Sequence, residues 1–200
     1  MSDNIKARLI ILSGPSGAGK STVIRRVINE CDLPLRLSVS ATTRQPRPGE
    51  VDGRDYHFLD DEKFAELRQQ NAFLECKAVF GRGHWYGTLA SEVTAGLERG
   101  EWIILEIDVQ GAMDVMNSVE LDPISMFIHP GGMTELERRL RDRGTETEEA
   151  IESRLETAAD EMRFMHHYQY EIINGAVDAA VSQICQILKD HSEKPTCSKN

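Results

Sequence analysis

Leu9-Ile10-Ile11-Leu12-Ser13-Gly14-Pro15-Ser16-Gly17-Ala18-Gly19-Lys20-Ser21-Thr22-Val23-Ile24 begins as an apolar run, turns on three glycines and resumes as an apolar-periodic helix. Its centre fits G-x-x-x-x-G-K-[ST] at every fixed position, with a strand before it and a helix after it, the context in which that pattern cradles phosphates. Gly14, Gly17 and Gly19 let the backbone turn with its N–H groups inward, and the helix N-terminus adds its positive dipole. Lys20 reaches the terminal phosphates of a nucleoside triphosphate, and the Ser21 hydroxyl is placed to ligate Mg²⁺. The expected ATP-binding set is therefore Gly14, Pro15, Ser16, Gly17, Ala18, Gly19, Lys20, Ser21 and Thr22.

Outward from this loop, Ile103 to Ile107, Ser125 to Ile128 and Tyr170 to Ile173 are short runs, largely apolar on both faces, as central strands of a parallel sheet must be. Helical patterns alternate with them. Val23, Ile24, Val27 and Ile28 form one apolar face, and Val181, Ile184, Cys185 and Leu188 form another at i, i+3, i+4, i+7. The pattern predicts a three-layer α/β fold. Two stretches break it. Arg36 to about Gly87 is turn-rich and strand-like with one helix near Asp61 to Gln70, which predicts an inserted, partly antiparallel subdomain. Arg138 to Glu149 carries Arg138, Arg139, Arg141 and Arg143 beside Gly144, a basic segment suited to a lid over phosphates. A helix then restarts, with Thr145 and Glu148 at capping-box spacing and Ile151, Leu155, Ala158 and Met162 on one face.

The 33 acidic and 23 basic residues leave a net charge of −10, which repels a nucleic-acid backbone, so any anionic ligand needs a local cluster of cations. No apolar run approaches the roughly 18 residues of a membrane span, and the polar Met1 to Lys6 reads as cytosolic rather than as a signal segment. Cys31, Cys76, Cys185 and Cys197 show no C-x-x-C spacing and are expected as free thiols. His166 and His167, adjacent on a helix end, point about 100° apart and make a poor chelate. Glu106 and Asp108 alternate onto one face at the end of their strand, where Asp108 either holds Mg²⁺ through water and orients Lys20 or caps the following helix.

The ordered blocks Ser38-Val-Ser40-Ala-Thr-Thr-Arg44-Gln-Pro-Arg47-Pro-Gly-Glu50, Asp52 to Phe58, Phe73-Leu-Glu75, Tyr86-Gly-Thr88, Glu106 to Gly111 and Arg139 to Glu149 resemble the guanylate kinase family over about residues 7 to 190. The resemblance implies a P-loop NTPase core with a parallel sheet over residues 1–36, 88–137 and 155–190. It further implies an inserted GMP-binding subdomain over 37–87 and a lid over 138–154, leaving 191–200 as a flexible tail. Its activity would be transfer of the ATP γ-phosphoryl to GMP with Mg²⁺, in the cytoplasm. ATP and GMP would be the partners, without nucleic acid or membrane, and a homodimer stays open. It assigns Ser40, Arg44, Arg47, Tyr56, Glu75, Tyr86 and Thr88 to GMP, with Glu106 and Asp108 beside it, and Arg139, Arg143 and Arg154 to the ATP phosphates. Asn174 would touch the adenine.

The residue chemistry agrees. Arg44 and Arg47, three apart on a proline-stiffened loop, can fork onto a dianionic phosphate, and Tyr56 and Tyr86 add hydroxyl donors. Guanine presents adjacent N1–H and N2–H₂ donors beside an acceptor. One carboxylate, Glu75, can take both donors while Ser40 and Thr88 complete the edge. The catalytic set would be Lys20, Arg44, Arg139, Arg143 and Arg154, and the metal set Ser21 and Asp108. Three departures from the family pattern stand out. The Gly81 to Trp85 segment is longer than the family's hairpin, Glu106 replaces an aspartate, and His129-Pro-Gly-Gly132 replaces a Pro-Pro turn. Two other readings differ in the acceptor or its absence: a ribose bisphosphate kinase, which has no use for Glu75, and a scaffold module, which lacks a working phosphate loop.

Overall fold

Side chains of a strand alternate between faces, and the first strand of the computed structural model, which describes residues 7–79, 83–117, 122–142 and 147–193, buries both of its faces. In β1 (Leu9–Ser13), Ile10 and Leu12 enter one apolar cluster while Leu9 and Ile11 enter another. The other strands of this sheet are β2 (Leu35–Leu37), β7 (Trp102–Glu106), β8 (Ile124–His129) and β9 (Tyr170–Ile173). All pairings are parallel, in the order β2-β7-β1-β8-β9.

Helices α1 (Lys20–Glu30) and α7 (Val177–Glu193) cover one face through Val23, Ile24, Val27, Val181, Ile184 and Leu188. Helices α3 (Ala90–Glu98) and α4 (Val109–Asn117) cover the other through Val93, Val109, Ala112 and Val115. This is the expected three-layer α/β core, and the expected strands lie within a residue or so of their positions. The edge strand β2 was not foreseen; its three half-buried residues leave too short a pattern to read.

The turn-rich insert forms a second sheet from β3 (Ala41–Thr42), β4 (His57–Phe58), β5 (Phe73–Val79) and β6 (His84–Leu89), in the order β4-β3-β6-β5. Among its described residues only β3 and β4 pair as parallel strands, and the one α-helix is α2 (Asp61–Gln69), capped by Asp60 on the Lys63 amide. A third apolar cluster, Leu136, Leu140, Ile151 and Ala158, joins α5 (Met133–Asp142) to α6 (Glu148–Met162).

The structure departs from several expectations. Cys31, at the end of α1, and Cys185, on α7, are joined in a disulfide because those helices pack side by side with the two Cα atoms 5.5 Å apart; Cys76 is free as expected. The cap of α6 is Thr147, which accepts from the Ala150 amide, so the helix starts beyond the expected box at Thr145. Helix α7 continues to Glu193, so the tail after Asp190 begins as helix. Helix α6 also runs unbroken past Arg154, where the lid was expected to end, and β6 crosses the expected 87/88 boundary. Arg143, Gly144, Thr145, Cys197 and part of the Gly81 to Trp85 segment lie outside the described residues.

Candidate active site

The phosphate loop is a turn that only glycine allows. Gly14, at φ +139°, passes so close to β8 that a Cβ there would lie 2.0 Å from the Ile128 carbonyl oxygen. Gly19, at φ +84°, is the N-cap of α1, and a Cβ would meet the Asn174 amide nitrogen at 2.7 Å. Lys20 folds back over the loop, donating to the Gly14 carbonyl at 2.7 Å and the Pro15 carbonyl at 3.1 Å. Burial pushes its ammonium below the ordinary lysine range, opposed by the carboxylates of Glu106, Glu161 and Asp108. Asn174, expected against adenine, is instead buried beneath the loop and donates from its Nδ2 to the Ala18 carbonyl at 2.8 Å.

The Ser21 hydroxyl donates to Glu106 Oε1 at 2.6 Å. Strand β7 ends at Glu106, so Asp108 lies beyond it. There Asp108 caps α4 by accepting the Gly111 amide on Oδ1 at 2.8 Å, and its Oδ2 meets Lys77 Nζ at 3.1 Å. The helix-capping role of Asp108 is thus present. Asp108 also lines the cleft.

On the insert, β5 and β6 pair Glu75 with Thr88 and Lys77 with Tyr86, which brings all four side chains to one face. An irregularity between Phe73 and Glu75 sets this register. The Thr88 hydroxyl donates to Glu75 Oε1 at 2.6 Å, and burial raises the Glu75 carboxyl to about 6. Gly111 of α4 is pressed against the same carboxylate, since a Cβ there would lie 2.8 Å from Oε2. Arg44 is held by Glu50 in a bidentate pair, 2.9 Å on each nitrogen, and its guanidinium lies 5.4 Å from the Tyr56 ring centroid. Tyr86 packs edge-on to Tyr56 at 5.9 Å. Glu50 also accepts the Arg47 amide at 2.7 Å, while the Arg47 side chain is exposed.

These two halves share one cleft. A cavity of about 890 Å³ is lined on one side by Gly14, Ser16, Gly17, Gly19, Lys20, Ser21 and Thr22. Ser40, Glu50 and Tyr56 line the other side, with Glu106 and Asp108 between. Arg44, Arg47, Glu75, Tyr86 and Thr88 are not among the residues that line the cavity. Arg139 is turned from the cavity in this structure, bonded to Glu135 and to the Asn174 carbonyl, and Arg154 is half-buried on α6.

The guanylate kinase family model matches residues 6–191. The chain is 60% identical over 193 residues to a guanylate kinase of Rhodopirellula baltica, covering 96% of this chain and 92% of that one. It is 44% identical to that of Caldanaerobacter subterraneus over 94% of this chain and 89% of the relative. A crystal structure of guanylate kinase from Anaplasma phagocytophilum superposes with a TM-score of 0.74 at 31% identity, covering 96% of this chain and 89% of that chain.

The chain belongs to the guanylate kinase family.

Within this guanylate kinase frame, Glu50, Arg54 and Glu161 are among the cleft residues to which the sequence assigns no role. Glu50 organises the arginine loop, taking the Arg44 guanidinium and the Arg47 amide together. Arg54, in the turn after it, lines the cavity. Glu161 lines it from α6 and stands on the stripe of Ile151 and Ala158, where an acid interrupts an apolar pattern; that interruption was the available signal. Among the described residues no His, Cys, Asp or Glu group forms a metal site alone. No described helix is long and apolar enough to cross a membrane.

Proposed function

We propose that this guanylate kinase family member transfers the γ-phosphoryl of ATP directly to the 5′-phosphate of GMP, giving ADP and GDP. The observation carrying this reading is the shared cavity, with the phosphate loop on one wall and Ser40, Glu50 and Tyr56 on the other. ATP lies along the loop, its phosphates on the inward N–H groups and Lys20. GMP lies on the insert, its phosphate on Arg44, Arg47, Tyr56 and Tyr86, and its guanine edge on Glu75, Ser40 and Thr88. Residues 37–87 then act as the GMP-binding subdomain and residues 138–154 as the lid, with Arg139, Arg143 and Arg154 brought to the ATP phosphates on closure. We place the reaction in the cytoplasm.

The attacking GMP oxygen is already anionic and needs no general base. It forms a bond to the γ-phosphorus as the bridging β,γ bond breaks, and the electron pair leaves on ADP. Catalysis is positioning and neutralisation of charge. The Ser21 hydroxyl with the Glu106 and Asp108 carboxylates supplies the hard oxygen donors that suit Mg²⁺. Ser21 directly and Asp108 through water would hold the ion, which screens the phosphate charge when bound. Lys20 keeps its ammonium between the loop carbonyls and the acids, ready for the γ-phosphate.

ADP release with GMP, AMP and ribose 1,5-bisphosphate offered in turn tests the assignment. GMP alone should support turnover. Equal turnover with AMP would remove the guanine-reading role of Glu75, and turnover with ribose 1,5-bisphosphate alone would replace the acceptor.

A further inference from the structure

Glu75, the carboxylate assigned to the guanine edge, is itself held by a closed ring of contacts. Lys77 stands two residues further along β5 on the same face, and its Nζ reaches Asp108 Oδ2 at 3.1 Å. Asp108 accepts the Gly111 amide on its other oxygen at 2.8 Å. Gly111 in turn lies so close to Glu75 that a Cβ there would stand 2.8 Å from Oε2. The circuit from Glu75 through Lys77, Asp108 and Gly111 therefore leaves the acceptor sheet, crosses to the core and returns. The side chains of Lys77 and Asp108 are 40% and 42% exposed, a setting in which an ion pair adds little to stability. Cohesion comes instead from Leu74 of β5, which packs on the apolar cluster containing Val109 and Ala112 of α4. What the pair supplies is position, since it sets where the first turn of α4, with Gly111 in it, stands against β5.

We propose that Lys77 is a positioning residue for guanine recognition, clasping Asp108 so that the first turn of α4 holds Glu75 in the orientation that accepts both guanine donors. The inference rests on the reaction proposed above and on the role given there to Glu75. One carboxylate takes two parallel N–H bonds only when it lies close to the plane of the base, and a tilt lengthens one of them. Loss of the clasp should therefore weaken the contact that tells guanine from hypoxanthine, whose base keeps the N1 donor and lacks the N2 amino group.

IMP, the hypoxanthine monophosphate, separates orientation from charge. GMP and IMP carry the same phosphate, so a change in local potential moves both affinities alike, whereas a misaligned Glu75 weakens GMP alone. In Lys77→Met the ratio of GMP to IMP affinity, read by calorimetric competition without ATP, should fall about fivefold while IMP and ATP affinities stay within about twofold. Lys77→Arg keeps a cationic donor for Asp108 and should hold the ratio within about twofold of the unsubstituted protein. An unchanged ratio in Lys77→Met overturns the proposal, whether the two affinities stay put or fall together. An equal loss of preference in Lys77→Arg and Lys77→Met overturns it as well. A lysine that merely stabilised the sheet would lower the melting temperature and leave the ratio alone. Should Lys77→Met fail to fold, Lys77→Thr, a good strand former too short to reach Asp108, is read by the same ratio. The unsubstituted protein is the control: if it binds GMP no better than IMP, guanine reading by Glu75 fails, whereas a selective control with equally selective Lys77 variants removes this inference alone.

Discussion

The phosphate loop and the acceptor sheet both hold an anion in an acidic protein, and they do so by opposite means. The loop uses backbone: its shape is fixed by glycines, it is wedged between the Ile128 carbonyl and Asn174, and it continues a strand buried on both faces. The acceptor wall uses side chains on short, half-buried strands, and in this structure those side chains already hold one another, Arg44 with Glu50 and Glu75 with Thr88. A backbone cradle is organised before ligand arrives and charges little for binding. A side-chain cradle must exchange partners, which makes it selective, since only a ligand offering better partners displaces the internal ones.

Substitutions that strike one region should therefore spare the other. Lys20→Met removes the one side-chain charge of the loop. Turnover should fall by about 10³-fold or more, roughly 4 kcal/mol of transition-state stabilisation, while GMP binding measured by calorimetry stays within about twofold. Loss of GMP binding in that variant would mean that the two regions are not separable.

Glu75→Gln strikes the other side. GMP affinity should drop about 100-fold with ATP affinity unchanged, because the amide can accept only one of the two guanine donors. The same change should stabilise the free protein. The Glu75 carboxyl is raised to about 6 from an ordinary 4.5, so its contribution is complete below the unfolded value and is lost as pH rises through 6. Ionised at pH 7 it costs on the order of 1–2 kcal/mol, and Glu75→Gln should raise the melting temperature by roughly 2–6 °C. In the unsubstituted protein the KM for GMP should also rise as pH falls below about 6. The variant retains only the pH dependence of the GMP phosphate. An unaltered melting temperature would show that burial of Glu75 carries no cost.

Gly111→Ala should give the smallest effect. Its Cβ would press on Glu75 Oε2 at 2.8 Å while adding helix propensity to α4. Stability should stay within about 1 kcal/mol while the KM for GMP rises about tenfold. A KM for GMP equal to that of the unsubstituted protein would show that Glu75 is free to move aside.

What could be read in advance follows the same division. The loop, its strand and the helix after it are local patterns of contiguous residues, and glycine spacing carries their geometry directly. The parallel sheet showed itself through runs apolar on both faces. The Cys31–Cys185 bond joins residues 154 apart and depends on α1 lying against α7, which no spacing expresses. Asn174 under the loop and Lys77 on Asp108 likewise exist only once distant elements meet. The acceptor residues became legible through their ordered resemblance to a family, since a lone arginine or glutamate has no local signature. The arginines of α5 were expected near phosphate. In this structure they bond to neighbouring glutamates, because an acidic surface supplies partners at i−4 and i−3.

A dinucleotide in which adenosine and guanosine are joined 5′ to 5′ through five phosphates can fill both walls only if they face one cavity. One molecule should bind per protein, about tenfold or more tighter than ATP, and displace ATP and GMP together. A dinucleotide that displaced ATP while GMP stayed bound would contradict the account.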